Sequence, residues 1–194
     1  AAAGIGLLVL AAMIIFAPRL LPQIAGSPEA TATPSAAVPD LEFPPEEMVI
    51  LQTEGSPWTT YIPPDWNQAL QEQEEVPSIS AIVSTADGSI WFASMGGVVS
   101  SGTGVYRNLE GNWFHLATEN GLPADEISAI AAGPDGAIWF GTMCCGTARY
   151  DNVGWTYYTA SDGLASDDVR SMAATPDGAI WFGTAEDGIS RFIN

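Results

Sequence analysis

From residue 78 onward the chain alternates short apolar runs with polar, glycine-bearing turns, and one phrase keeps the rhythm. Ala86-Asp87-Gly88-Ser89-Ile90-Trp91-Phe92-Ala93-Ser94 returns as Pro134-Asp135-Gly136-Ala137-Ile138-Trp139-Phe140-Gly141-Thr142. It returns again as Pro176-Asp177-Gly178-Ala179-Ile180-Trp181-Phe182-Gly183-Thr184. The tryptophans stand 48 and then 42 residues apart. A period of about 40–50 residues marks propellers and related arrays. Asp-Gly is a hairpin turn signal, because both residues tolerate positive φ. A small, apolar run precedes each turn: Ile79–Val83, Ile127–Ala131 and Val169–Ala173. The Ile-Trp-Phe that follows suits a buried strand. A third run comes next (Val105–Arg107, Thr147–Tyr150, Ile189–Phe192), and two repeats add a fourth, Asn112–Leu116 and Trp155–Tyr158.

Four short antiparallel strands make one propeller blade. The predicted fold is therefore all-β, a partial β-propeller of about three four-stranded blades at 78–117, 127–159 and 169–193, within a region spanning 48–194. The longer first interval predicts an insertion of about six residues in loops around Met95–Thr103 and Leu109–Gly111. Trp58–Ile62 resembles Trp155–Tyr158 and is expected to close the third blade as its outer strand. Three blades fall short of the usual four to eight, so the expectation is a propeller that is truncated or completed by a partner. Gln68–Glu75 has the composition of an exposed turn or two of helix, or a loop.

The N-terminal part follows different rules. Residues 1–18 carry no charge, and with Leu20 and Leu21 the apolar stretch reaches roughly the twenty residues a membrane-spanning helix needs. A single transmembrane helix is predicted at 1–21. Residues 22–47 hold Pro22, Pro28, Pro34, Pro39, Pro44 and Pro45 among Ala, Ser, Thr and Glu. That composition predicts an extended linker that carries the domain away from the membrane at about 3 Å per residue.

Charge narrows the partners. Five arginines face 23 acidic residues, for a net charge of -18. Nucleic-acid affinity rests on neutralising phosphates with basic side chains, so nucleic acid is excluded, as is docking on anionic lipid. The acidic surface is read as solvating, with a divalent cation or a basic protein surface as the alternative partner.

The run Asp-Gly-x-Ile-Trp-Phe-Gly-Thr, followed by Gly-x-x-Arg-Tyr/Phe, Trp-x-x-Tyr-Thr and Asp-Gly-Leu, resembles the two-component regulator propeller repeat over about 78–194. The resemblance implies a β-propeller, often the extracytoplasmic sensory part of bacterial receptors. The first copy departs from the pattern with Ala93-Ser94, and the second places Cys144-Cys145 where a glycine-rich turn is expected. The fold hosts many unrelated activities, so the family implies architecture more firmly than function.

Few residues invite chemistry. The pairs Trp91-Phe92, Trp139-Phe140 and Trp181-Phe182 could cage a ligand, but in-register repetition points to packing between blades. The Asp-Gly pairs read as turns rather than calcium ligands, since no spaced-acid loop accompanies them. Asp125, Glu126, Asp167 and Asp168 lie in loops that lead into the innermost strands, where propellers place ligands, and form the candidate rim for a cation or basic partner. Cys144 and Cys145 read as vicinal thiols, with a vicinal disulfide as the alternative. His115 is the sole histidine, too little for a triad or a metal centre. No catalytic residue, cofactor or metal is assigned.

Two functions are expected. The leading one is a non-enzymatic, membrane-anchored interaction module on the periplasmic or extracellular side. It would be a single-pass bacterial accessory subunit packing, through its helix and propeller, on other subunits of a photosynthetic or respiratory membrane complex. The alternative is the ligand-sensing propeller of a two-component-type receptor.

Overall fold

A computed structural model describes residues 49–52, 54–72, 74–96 and 102–193. The expected transmembrane helix at 1–21 and the linker at 22–47 lie outside the described residues. No helix among the described residues is long and apolar enough to cross a membrane.

Three antiparallel sheets follow one another. The first runs β3 (Ser78–Ser84), β4 (Ile90–Met95), β5 (Val105–Leu109) and β6 (Asn112–Leu116). The second runs β7 (Ile127–Ala132), β8 (Ile138–Thr142), β9 (Thr147–Tyr150) and β10 (Trp155–Tyr158). The third holds β11 (Val169–Ala174), β12 (Ile180–Thr184) and β13 (Ile189–Phe192). Each is a meander with consecutive strands paired. The six-residue difference falls wholly between Ser94 and Gly104. Ser94 and Thr142 hold equivalent places, as do Gly104 and Gly146, because the Ser94 N–H donates to the Gly104 carbonyl as the Thr142 N–H does to that of Gly146. The β5–β6 turn at Glu110-Gly111 is two residues long and takes no insertion.

The Ile-Trp-Phe phrase alternates across the sheet, as strand geometry requires. Tryptophan faces the blade that follows and phenylalanine the blade that precedes. Trp91 meets Phe140 edge-on with centroids 6.0 Å apart, and Trp139 meets Phe182 at 5.5 Å. Leu122 and Leu164, each in the loop between two blades, insert beside these rings. Trp91, Trp139, Phe140 and Phe182 are all buried. This is the packing reading of the Trp-Phe pairs, and it leaves the interior pairs unavailable as a ligand cage.

Two further devices repeat. A bulge interrupts each innermost strand, between Ile79 and Ala81, Ile127 and Ala129, and Val169 and Ser171. The bulged Ser80 hydroxyl donates to the Ile127 carbonyl of the next blade, and Ser128 to that of Val169. Each Asp-Gly turn is also clamped. Asp87, Asp135 and Asp177 accept from the backbone N–H two residues on. They pair with Arg107, Arg149 and Arg191 of the third strand at 2.8, 2.9 and 2.7 Å. The turn reading of the Asp-Gly pairs thus gains an ion pair to each blade's third strand.

Arg149 is the most engaged of these, bridging Asp135 and Asp151 from a largely buried position. Arg149→Ala is expected to cost about 1–2 kcal/mol, because it strands two carboxylates at once. Arg191→Ala should cost less, its pair being more exposed. Urea midpoints of the two variants check the order.

The N-terminal strands differ from expectation. β2 (Thr59–Ile62) pairs with β1 (Val49–Gln52) in its own two-stranded sheet, not with the third sheet. Val49–Gln52 supplies a partner nearer in sequence than β13, and a local hairpin closes a shorter loop. The pair leans on the opposite end of the array: Tyr61 touches Trp113 of β6 at 5.5 Å. Helix α1 spans Pro64–Glu72, starting four residues before the expected segment. Pro64 opens it, since proline's fixed φ and missing N–H suit a first turn. Trp66 ties α1 to the first blade, donating to Thr103 Oγ1 at 3.2 Å and meeting Tyr106 edge-on.

Candidate functional site

One edge of the array collects the irregular chain. The loops joining successive blades (117–126 and 159–168) and the turns between second and third strands (143–146 and 185–188) lie together there. Gly104 donates its N–H to the Asp125 carbonyl, Gly146 to that of Asp167, and Ala185 to that of Asp168. The innermost strands begin at this edge.

Each inter-blade loop is braced by its own acid. Thr118–Asn120 and Ala160–Asp162 form single 3-10 turns, each stopped by a left-handed glycine, Gly121 and Gly163. The first N–H of each turn donates to a carboxylate further along the loop: Thr118 to Asp125 and Ala160 to Asp167, both at 2.7 Å. Asn120 and Asp162 reach back to the N–H of Ala117 and Thr159. Asp125 and Asp167 are therefore committed to holding loop shape.

Asp168 behaves differently. Arg170 donates Nη2 to Oδ2 at 2.8 Å, and its Nε lies 2.6 Å from Oδ1 as a charge contact that leaves that buried oxygen without a hydrogen bond. The guanidinium also approaches the Met143 sulfur at 3.1 Å. Arg170 holds the bulge position that Ser80 and Ser128 hold in the other blades, so the hydroxyl latch is replaced by a cation on the loop edge. Sequence comparison of the repeats carries this signal, Ser80-Ala81-Ile82 and Ser128-Ala129-Ile130 against Arg170-Ser171-Met172, yet Arg170 and Met143 were not among the expected site residues.

Cys144 and Cys145 form a vicinal disulfide, correcting the expectation of adjacent thiols. The reason is local. The exposed turn is tied on both sides, by Thr142 Oγ1 accepting from the Cys145 N–H and by Gly146 closing onto Thr142, so the two sulfurs are held side by side. The bridge follows Met143, the residue whose sulfur Arg170 approaches, in the same turn.

The expected rim is only partly assembled. Asp125 and Asp167 are consumed by loop hydrogen bonds and Asp168 by Arg170, while Glu126 shares the edge. No group of three His, Cys, Asp or Glu residues among the described residues could hold a metal ion. His115 lies near the end of β6 where the chain enters this edge, its ring stacked 4.6 Å from Tyr106 and bonded to the carbonyl of Thr103, the residue before Gly104.

The opposite edge carries the Asp-Gly turns, and its acids titrate low. The Thr85 hydroxyl, the Ser89 N–H and Arg107 draw the Asp87 pKa down from 3.8 to about 2. Burial pushes Asp135 up, but its hydrogen bonds to Arg149 and Ala137 outweigh that and lower it. The Thr175 hydroxyl, the Ala179 N–H and Arg191 lower Asp177. Because the folded pKa of Asp87 lies below its unfolded value, its contribution is complete above about pH 4 and is lost as pH falls toward 2. The half-exposed carboxylate is screened, so the contribution is about 1 kcal/mol. Stability should fall through that window, and Asp87→Asn should flatten part of the fall; tryptophan-monitored urea titrations at each pH measure it.

Comparison with known proteins gives a consistent architecture. Residues 121–143 and 163–186 match the family model for the two component regulator propeller. Each segment runs from the left-handed glycine of an inter-blade loop through the first two strands of a blade. No curated protein matches the chain. Among solved structures, it resembles the extracellular domain assigned to a hybrid two component system, BT3049 of B. thetaiotaomicron, with a TM-score of 0.52 and 20% identity over 63% of this chain and 16% of that one. A second such domain, BT4673 of the same organism, aligns with a TM-score of 0.47 and 17% identity over 61% of this chain and 16% of that one. Virginiamycin B lyase from Staphylococcus aureus aligns with a TM-score of 0.45 and 17% identity over 76% and 49% of the two chains. This chain thus spans about a sixth of the length of the first two. Two successive segments of the chain, 121–143 and 163–186, thus match the two component regulator propeller repeat.

Proposed function

We propose that this chain is part of the ligand-sensing propeller of a two-component-type receptor, displayed on the extracytoplasmic side of a membrane. The observation that carries the reading is the match of two successive blades to the two component regulator propeller. The likeness in fold to an extracellular domain of a hybrid two component system supports it. The accessory-subunit reading draws no support from these likenesses. The sensing surface in this proposal is the loop edge bearing Met143, the Cys144–Cys145 bridge and Arg170. It joins a cation, two soft sulfur groups and flanking acids on a scaffold braced by loop hydrogen bonds. In this proposal the edge binds and does not catalyse. The anchor at 1–21 would tether the propeller.

The test is phosphotransfer. The full-length gene product, purified from its source membranes with whatever co-purifies, is incubated with ATP labelled on the γ-phosphate. The proposal expects an acid-labile, base-stable phosphohistidine on the same chain or on a bound partner. A preparation with intact blades and no such label contradicts it.

A further inference from the structure

The Cys144–Cys145 bridge does not staple the fold. A disulfide stabilises a protein chiefly by closing a loop of chain, and the effect grows with the length of the loop. This one joins neighbours in sequence and encloses only the peptide bond between them. The turn is linked to the rest of the blade array by hydrogen bonds instead. Gly146 donates to the Asp167 carbonyl, and Arg170 to the Met143 sulfur.

The third blade shows the same turn without a bridge. Ala185-Glu186-Asp187-Gly188 follows β12 as Met143-Cys144-Cys145-Gly146 follows β8. Thr184 closes its turn onto the Gly188 carbonyl through its N–H at 3.0 Å and its hydroxyl at 2.9 Å. Thr142 closes the cysteine turn onto the Gly146 carbonyl in the same way, with both bonds at 3.0 Å. The closure is equal with and without the two sulfurs, so the turn does not need the bridge to keep its shape.

The sulfurs are also open to reagents. Cys144 and Cys145 are both exposed, at the tip of a turn whose flanking Thr142 and Gly146 are buried. They are the two cysteines of the chain, so no third thiol within it competes for either sulfur. A disulfide that is accessible and holds no distant elements together is of the labile kind, not the structural one.

We infer that Cys144–Cys145 is a thiol–disulfide exchange site for low-molecular-weight thiols, opening and closing while the propeller stays folded. A thiolate of a dithiol attacks one Sγ. The S–S bond breaks, and its electron pair leaves on the other Sγ, which takes up a proton. The second thiol of the reagent then displaces the first cysteine from the mixed disulfide. The bridge gains two electrons and two protons, and the dithiol loses them as it closes to its own disulfide. The opened turn has the form that the third blade already shows, now carrying two thiols. The inference stands apart from the receptor reading, since its readout is thiol chemistry and not phosphotransfer.

The test treats the folded 194-residue chain in mild detergent with about 1 mM dithiothreitol, quenches samples with N-ethylmaleimide and weighs the intact protein. The expected product carries a maleimide on each cysteine and forms at a rate within about tenfold of that in concentrated urea. The reduced chain should keep its circular dichroism and its urea midpoint, and glutathione disulfide should restore the bridge. In Cys144→Ser and in Cys145→Ser the remaining thiol should hold glutathione as a mixed disulfide. The unaltered chain should expel it, because the neighbouring thiol attacks within the same molecule. Reduction at least about a thousandfold slower than in urea would mean that the fold must open first, and overturns the inference. A lower urea midpoint or a loss of circular dichroism on reduction would make the bridge a staple and overturns it too. So do serine variants that take up no glutathione.

Discussion

Replacing Trp139 with alanine is expected to lower stability by about 3–5 kcal/mol, the range for deleting a large, fully buried aromatic. Trp139 is 2% exposed and is the ring on which the second junction is built. It stacks on Tyr158 at 5.4 Å, meets Phe182 at 5.5 Å and lies 5.0 Å from the Phe192 ring. Its removal opens a cavity bounded by strands of two blades, which have no independent way to collapse. Trp181→Ala removes the same residue type at the same register with only one covered side and should cost much less. Denaturant midpoints of the two variants separate a junction tryptophan from an end-face tryptophan. Equal losses would mean that blade-to-blade burial is not what the repeated tryptophan supplies.

Replacing Gly146 with alanine is expected to cost about 2–4 kcal/mol and to disturb the loop edge directly. Its φ is +75°, and a Cβ there would collide with the Tyr158 carbonyl oxygen. That oxygen belongs to backbone, so either the turn or β10 must move. Gly146 also donates to Asp167 and accepts from Thr142, so the shift reaches both the inter-blade loop and the cysteine turn. Gly136 is the control: its φ is +85° and a methyl group added there would have nothing within 4 Å, so alanine brings only the left-handed strain of about 1–2 kcal/mol. Thermal unfolding of the pair measures the difference.

Much of the architecture was legible because the repeats are in phase. An Asp-Gly turn, a β-branched residue and two aromatics at fixed spacing determine two strands and the face each ring takes, so the two strands flanking each Asp-Gly turn fall where the pattern placed them, while the third sheet's expected outer strand does not. The Gly-Thr signature also explains itself. Thr142 and Thr184 close the following turn through their hydroxyls, onto Gly146 and Gly188, and Ser94 does the same onto Gly104. The first copy's departure from Gly-Thr therefore keeps the hydroxyl that matters. What lay outside the repeat was less legible. The partner of Thr59–Ile62 depended on a competition between a local hairpin and a distant sheet edge, which strand propensity does not decide. The loop acids looked like a rim because their position was right, but a carboxylate seven residues from a 3-10 turn can be spent on that turn's first N–H. Arg170 was legible only by asking which repeat breaks the serine pattern.

The central claim is that these blades are the outward-facing sensory part of a receptor. It is tested most directly by adding protease to spheroplasts of the source organism and following the blades with an antibody against residues 121–186. The proposal predicts loss of the blade epitope in intact spheroplasts while a cytoplasmic marker survives. An epitope that persists in intact spheroplasts and is digested only after lysis would place the propeller inside the cell and contradict it.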